Sequence, residues 1–325
     1  MKTERAAKPA ITGRRNFIST LAAAGLSIPF VRLAGHGFPV SSMPGGRIHV
    51  FSKPLVWLGY DDLAAILADA GADGIDLTIR PQGHVLPENA ARDLPKAIDA
   101  ARKHGLKVEM IVTSILSVNE KYTGEIIRTA ASSGVKYYRL GWYSFDEKEG
   151  ITGSIKKCHD ELTRLAEMNS RYGIQGAYQN HAGLMVGAAA WDIYEMMHDL
   201  DPNYIGCQYD IRHAVAEGSG SWPNGLKLLA RWIRCFDIKD FRWQESNGKW
   251  NPVSVPLGEG MVNFDQYFQA LRQLGLNGPM SLHFEYPPFE NDQVNRSDSE
   301  KRKLFLTAMK RDIDKLRSYC TRYGF

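Results

Sequence analysis

Eight short β-rich runs, each separated from the next by a stretch of helical hydrophobic periodicity, do most to restrict the fold of this 325-residue chain. The runs cover 47–51, 74–79, 107–113, 136–142, 173–178, 204–209, 233–238 and 280–284. Amphipathic stretches at 61–70, 87–104, 120–133, 154–172, 188–199, 222–231, 264–274 and 299–323 follow them, several ending at a glycine such as Gly71, Gly105, Gly134, Gly173 or Gly275 placed as a helix C-cap. Strand and helix in alternation with short connections imply a parallel sheet. Eight such units predict a closed (β/α)₈ barrel in a single domain over 45–325. An open doubly wound sheet would want a glycine-rich phosphate loop after the first strand, and Ser52-Lys53-Pro54-Leu55 is not one.

With 44% hydrophobic residues the chain has ample material for a large core. Its formal charge of +4 is concentrated at the beginning, where six basic residues and one acid precede residue 40. The rest is close to neutral and lacks the basic stripe that a nucleic acid requires, so no nucleic-acid partner is expected. Thr12-Gly13-Arg14-Arg15-Asn16-Phe17-Ile18, followed by an apolar stretch to Phe30, resembles a twin-arginine export signal. Residues 1–36 are accordingly expected to be a signal peptide and the product to be periplasmic or secreted, with no membrane anchor after cleavage. Cys207 and Cys235 sit inside apolar strand-like runs, where buried free thiols are expected rather than disulfides.

Polar residues crowd the ends of the later strands. Because alternate strand residues share a face, Gln179 pairs with His181, Gln208 with Asp210, Asp237 with Lys239, and His283 with Glu285. In a barrel the strand ends converge on one face, so these segments are expected to build a single pocket. Each residue also has a purely structural reading: Asp210 as a cap for the next turn, His213 as the start of a helix, Lys239 with Asp240 as a surface ion pair. The stretch 243–260, rich in glycine and proline around Trp243 and Trp250, reads as a long irregular loop on the same face.

At these residues the chain resembles the xylose-isomerase-like TIM barrels, a family that includes sugar isomerases, ketose 3-epimerases and endonuclease IV. The marks are Gly74-Ile75-Asp76-Leu77, Tyr178-Gln179-Asn180-His181, Asp210-Ile211-Arg212-His213, Ile238-Lys239-Asp240, Pro256-Leu257-Gly258-Glu259-Gly260 and Glu285. The resemblance implies a divalent metal held at Gln179, Asp210, Asp237 and Glu285. Two of these depart from the family pattern. Gln179 is a neutral amide that cannot abstract a proton. Asp237 replaces an imidazole, giving an oxygen-only set that favours Mn²⁺ or Mg²⁺. Nitrogen ligation by His181 or His283 would bring back Zn²⁺.

Proton removal next to a carbonyl needs a cation or strong donors for the enolate and a base with a pKa near the working pH. Glu285, His213, His181 and Lys239 are the candidate catalytic groups; Arg80, His84, Arg139, Trp243 and His283 are candidate substrate contacts. The expected function is a metal-dependent isomerase or epimerase acting on an unphosphorylated keto-sugar or oxidised glycoside, and the protein is compatible with a homo-oligomer. Two alternatives stand beside it, a 3-keto-glycoside lyase working by β-elimination at the same site and a non-catalytic sugar-binding barrel.

Overall fold

The computed structural model describes residues 46–290 and 296–325, so the expected signal peptide lies outside the described residues. The strands are β1 (Ile48–Phe51), β2 (Gly74–Ile79), β3 (Lys107–Thr113), β4 (Tyr137–Arg139), β5 (Gln175–Gln179), β6 (Ile205–Asp210), β7 (Ile233–Ile238), β8 (Asp240–Ser246), β9 (Lys249–Val255) and β10 (Met280–Leu282). All except β8 and β9 pair in the closed order β1-β10-β7-β6-β5-β4-β3-β2, and every pairing in the ring is parallel. The (β/α)₈ barrel read from the sequence is the fold. Its helices are α1 (Tyr60–Asp69), α2 (Ala90–Lys103), α3 (Thr123–Ser132), α4 (Gly150–Tyr172), α5 (Ala190–Met197), α6 (Ile211–Gly218), α7 (Trp222–Leu229), α8 (Phe264–Gln273) and α9 (Asp298–Tyr323). Among the described residues no helix is long and apolar enough to cross a membrane.

Strand alternation divides the side chains between two environments. On β2, Ile75, Leu77 and Ile79 join the main apolar core that packs strands against helices, whereas Asp76 and Thr78 face the barrel interior. Contacts that skip a strand establish this interior: Ser281 on β10 donates to Asp76 on β2 past the intervening β1, at 2.6 Å. One end of the interior is closed by Met110, Ala177 and Cys235 with Tyr137 packed on them. Polar side chains fill the other end, and that difference sets where chemistry can occur. The four cysteines are buried free thiols.

Two segments differ from their sequence reading. The stretch 243–260 is not an irregular loop: β8 and β9 form an antiparallel hairpin in which Glu245 faces Trp250. Its turn is Asn247-Gly248, with φ of 53° and 73°, the left-handed pair that a two-residue hairpin demands and that Asn-Gly supplies cheaply. Dense glycine and proline nearby masked that signal. The second difference is α6, which begins directly after β6 with no linker. Asp210 caps it by accepting from the backbone N–H of His213 at 3.0 Å, so one of the structural readings holds alongside any functional one.

Candidate active site

A cavity of about 350 Å³ opens at the ends of the strands and is lined by Arg80, Arg139, Gln179, His181, His213, Lys239, His283 and Glu285. Eight of the residues singled out in the sequence therefore meet at one mouth. Asp210 and Asp237, paired across β6 and β7, lie fully buried directly beneath it. Strand alternation brings them together: 177, 179 and 181, then 208 and 210, then 235, 237 and 239, then 281, 283 and 285 each point inward from one strand.

Hydrogen bonding fixes the orientation of Gln179. Arg139 Nη1 donates to Gln179 Oε1 at 2.8 Å, and a guanidinium can only donate. The Gln179 amide nitrogen must therefore face the carboxylates, where it donates to Asp210 Oδ2 at 2.9 Å and to Asp237 Oδ2. Gln208 Nε2 donates to Asp237 Oδ1 at 2.6 Å. Lys239 Nζ lies 3.1 Å from Asp210 Oδ2 and 3.1 Å from Glu285 Oε2, an ammonium shared by carboxylates from two strands. Burial disfavours that charge, but Asp210, Glu285 and Asp237 outweigh it and raise the lysine pKa. Glu285 is correspondingly held well below the usual carboxylate range; burial opposes the ionised form, and the charges of Lys239, His283 and Lys53 overcome it.

The same donor logic assigns the imidazoles. Arg212 Nη1 sits 2.9 Å from His213 Nδ1, so Nδ1 accepts and Nε2 carries the hydrogen. That Nε2–H has no hydrogen-bond partner and lies 3.5 Å from Asp210 Oδ2, beside the Lys239 ammonium. Burial, followed by the charges of Lys239 and Arg212, holds the His213 pKa far down, which keeps the ring neutral. His181 is the converse case. Its Nδ1 donates to the Ala182 carbonyl at 3.2 Å, leaving Nε2 as a bare acceptor. The ring lies between Trp142 and His213, with centroids at 4.4 and 4.3 Å. His283 directs Nε2 to Asp237 Oδ1 at 3.1 Å; its buried Nδ1 makes no hydrogen bond but lies 3.9 Å from Glu285 Oε1, and its ring stacks on Phe51.

Two expected contacts are elsewhere. His84 does not reach the mouth: its Nε2 donates to the Leu55 carbonyl at 3.0 Å, and its Nδ1 faces the Ser52 hydroxyl at 3.1 Å. Burial pushes its pKa down to about 4, as suits a neutral ring cross-linking the first two strand ends. Trp243 lies on the hairpin, 40% exposed, with its edge on Phe241 rather than in the cavity. Conversely, Phe51, Lys53 and Arg212 line the cavity without having been singled out. For Phe51 and Lys53 the available signal was alternation along β1 and its exit, too short to stand out.

The metal set implied at Gln179, Asp210, Asp237 and Glu285 does not fit a divalent ion as these residues stand. Gln179 turns its N–H groups, not its carbonyl, toward Asp210 and Asp237, and the Lys239 ammonium already bridges Asp210 and Glu285. A different set lies deeper. Asp76, Asp237 and His283 offer ligand atoms within 4.8 Å of one another. Asp76 Oδ1 is buried without a hydrogen-bond partner, and two carboxylates with an imidazole are a donor set that a zinc- or manganese-class ion accepts. Neither aspartate of this trio lines the mouth.

Comparison with known proteins agrees with this architecture. Inosose dehydratases of Lacticaseibacillus casei and Geobacillus thermodenitrificans are 24% and 27% identical over 178 and 141 residues, 50% and 40% of this chain. The chain spans about half the length of these relatives, 58% and 46%. The solved IOLI protein with a bound zinc atom is 19% identical with a TM-score of 0.64, the match covering 84% of this chain and 99% of that one. The 3-keto-D-glucoside 4-epimerase YcjR of E. coli is 13% identical with a TM-score of 0.59, over 81% and 98%. At such identities the solved structures speak for the fold alone. The family model for xylose isomerase-like TIM barrels, by contrast, matches residues 64–304, most of the chain, and the protein belongs to that family.

Proposed function

We propose that this protein removes a proton from the carbon next to a carbonyl in an unphosphorylated keto-sugar, cyclic polyhydroxy ketone or oxidised glycoside, and that isomerisation or epimerisation is the outcome. The observation that carries this reading is one cavity in which a bare imidazole nitrogen, His181 Nε2, stands beside two N–H donors gathered on Asp210, His213 Nε2 and Lys239 Nζ. His181 takes the proton and the donors stabilise the oxygen on which negative charge develops. Arg80 and Arg139, which line the cavity, contact the hydroxyl-rich remainder. A divalent ion held by Asp76, Asp237 and His283 would neutralise the two buried carboxylates beneath this layer.

A second reading is β-elimination at the same site, favoured by the similarity to inosose dehydratases. It needs the same first proton removal. Incubation in D₂O with keto-sugars, an inosose and 3-keto-glycosides, followed by NMR, separates the two. Deuterium next to the carbonyl in an intact sugar supports the isomerase, and loss of water or aglycone supports the lyase. No exchange with any of them leaves a sugar-binding barrel. We also propose export by the twin-arginine route: Arg14→Lys with Arg15→Lys is expected to retain the protein in the cytoplasm, and unchanged fractionation would refute it.

A further inference from the structure

We infer that Lys239 takes the place of a metal at the mouth: its ammonium, clamped by Asp210 and Glu285, is the cation that faces the substrate carbonyl oxygen. This rests on the reading that proton removal next to a carbonyl occurs here. His181 Nε2 takes the proton from carbon, the C–H electron pair forms the enolate double bond, and the carbonyl π pair moves onto oxygen. That oxygen accepts from Lys239 Nζ–H and His213 Nε2–H. Collapse of the enolate returns a proton to carbon, and no oxidant or reductant is consumed.

Four features support the assignment. Lys239 sits between the two carboxylates that would otherwise share a divalent ion, with 3.1 Å to each. An ammonium has three N–H groups, and two carboxylate partners leave one for the cavity that Lys239 lines. Gln179 reinforces this arrangement. Its carbonyl is committed to Arg139, so it presents N–H groups to Asp210 and Asp237 and lowers the demand of these carboxylates for a further cation. The other cations at the mouth are differently engaged: Arg139 is turned to Gln179 and lies 4.5 Å over Trp142, Arg212 is turned to His213 and the Pro252 carbonyl, Arg80 lies 5.8 Å over the Phe51 ring, and Lys53 sits between Glu285 and Glu290 at 3.8 and 3.6 Å without reaching Asp210.

The test uses the full chain. Wild-type protein stripped with a strong chelator is expected to keep proton exchange within about twofold; loss of exchange that Mn²⁺ or Zn²⁺ restores would overturn the proposal. Lys239→Met should lower kcat about 10²- to 10³-fold with little change in KM, the range for removing one oxyanion donor. Exchange within threefold of wild type would also overturn it. Because Lys239→Met deprives Asp210 and Glu285 of their shared ammonium, the chelation arm is kept independent of whether that variant folds. A readout without activity comes from calorimetry with Mn²⁺ alone. With Asp76→Asn present in both proteins to silence the deeper trio, adding Gln179→Glu and Lys239→Met is expected to gain one Mn²⁺ site that Asp76→Asn alone lacks, and no gain in a folded variant would overturn the proposal. If no carbonyl compound exchanges with wild type, the functional reading fails while the calorimetry still reports on Lys239.

Discussion

Single residues in the mouth are defined by what their neighbours can donate. Arginine has no acceptor and carboxylate no donor, so Arg139, Arg212, Asp210 and Asp237 settle the amide of Gln179 and the tautomer of His213. His181 emerges as the acceptor, and His181→Gln should reduce exchange roughly 10²- to 10⁴-fold with KM nearly unchanged, measured by deuterium uptake. Burial first, and the Lys239 charge after it, lower the His181 pKa below the ordinary imidazole value. A base must be unprotonated, so kcat/KM falls only as pH drops through that lowered value. In Lys239→Met the acid limb should move to higher pH; a limb that stays put would mean His181 is not the titrating base. Most of these residues were legible as polar groups at strand ends. Their protonation roles were not, since those depend on partners from other strands.

At the level of elements, the hairpin and the glycine segment after it form one device. Asp240, fully buried at the start of β8, accepts from the backbone N–H groups of Gly258, Gly260 and Val262 at 3.0, 2.9 and 3.2 Å. The motif Pro256-Leu257-Gly258-Glu259-Gly260 thus wraps a carboxylate rather than a substrate, and the expected Lys239–Asp240 surface pair does not form. A Cβ on Gly260 would lie 2.2 Å from Asp240 Oδ1 and 2.4 Å from the Phe241 carbonyl. Gly260→Ala should therefore cost about 1–3 kcal/mol in a urea titration. Gly258→Ala meets only the flexible end of Lys315, but at φ of +85° it is strained for conformational reasons. The sequence showed the glycines without showing what they enclose.

For the whole molecule, two buried imidazoles tie stability to pH. Burial holds His49 and His84 at about 4, below the ordinary 6.5. Below pH 6.5 the unfolded chain takes up these protons and the folded one does not, so stability falls from pH 6.5 to about 4 and levels off beneath it. Asp76 works the other way. Burial and the Asp237 charge raise it to about 6, so its protonation favours the folded state as pH drops through the same window. Urea midpoints should decline as pH falls from 7 to 4 for wild type, and less steeply for a folded His84→Gln variant; parallel curves would refute the assignment. Periodicity was enough to specify the closed barrel, because an eightfold strand–helix alternation with short connections has few other ways to bury its apolar faces. It also indicated the functional end, since inward positions at strand exits are polar in one segment after another. Tertiary structure alone decided which polar groups touch. The barrel places Lys239 between Asp210 and Glu285 and turns the Gln179 amide by means of Arg139 on a neighbouring strand, and hydrogen-bond partners set by register between distant segments leave no local trace in a chain.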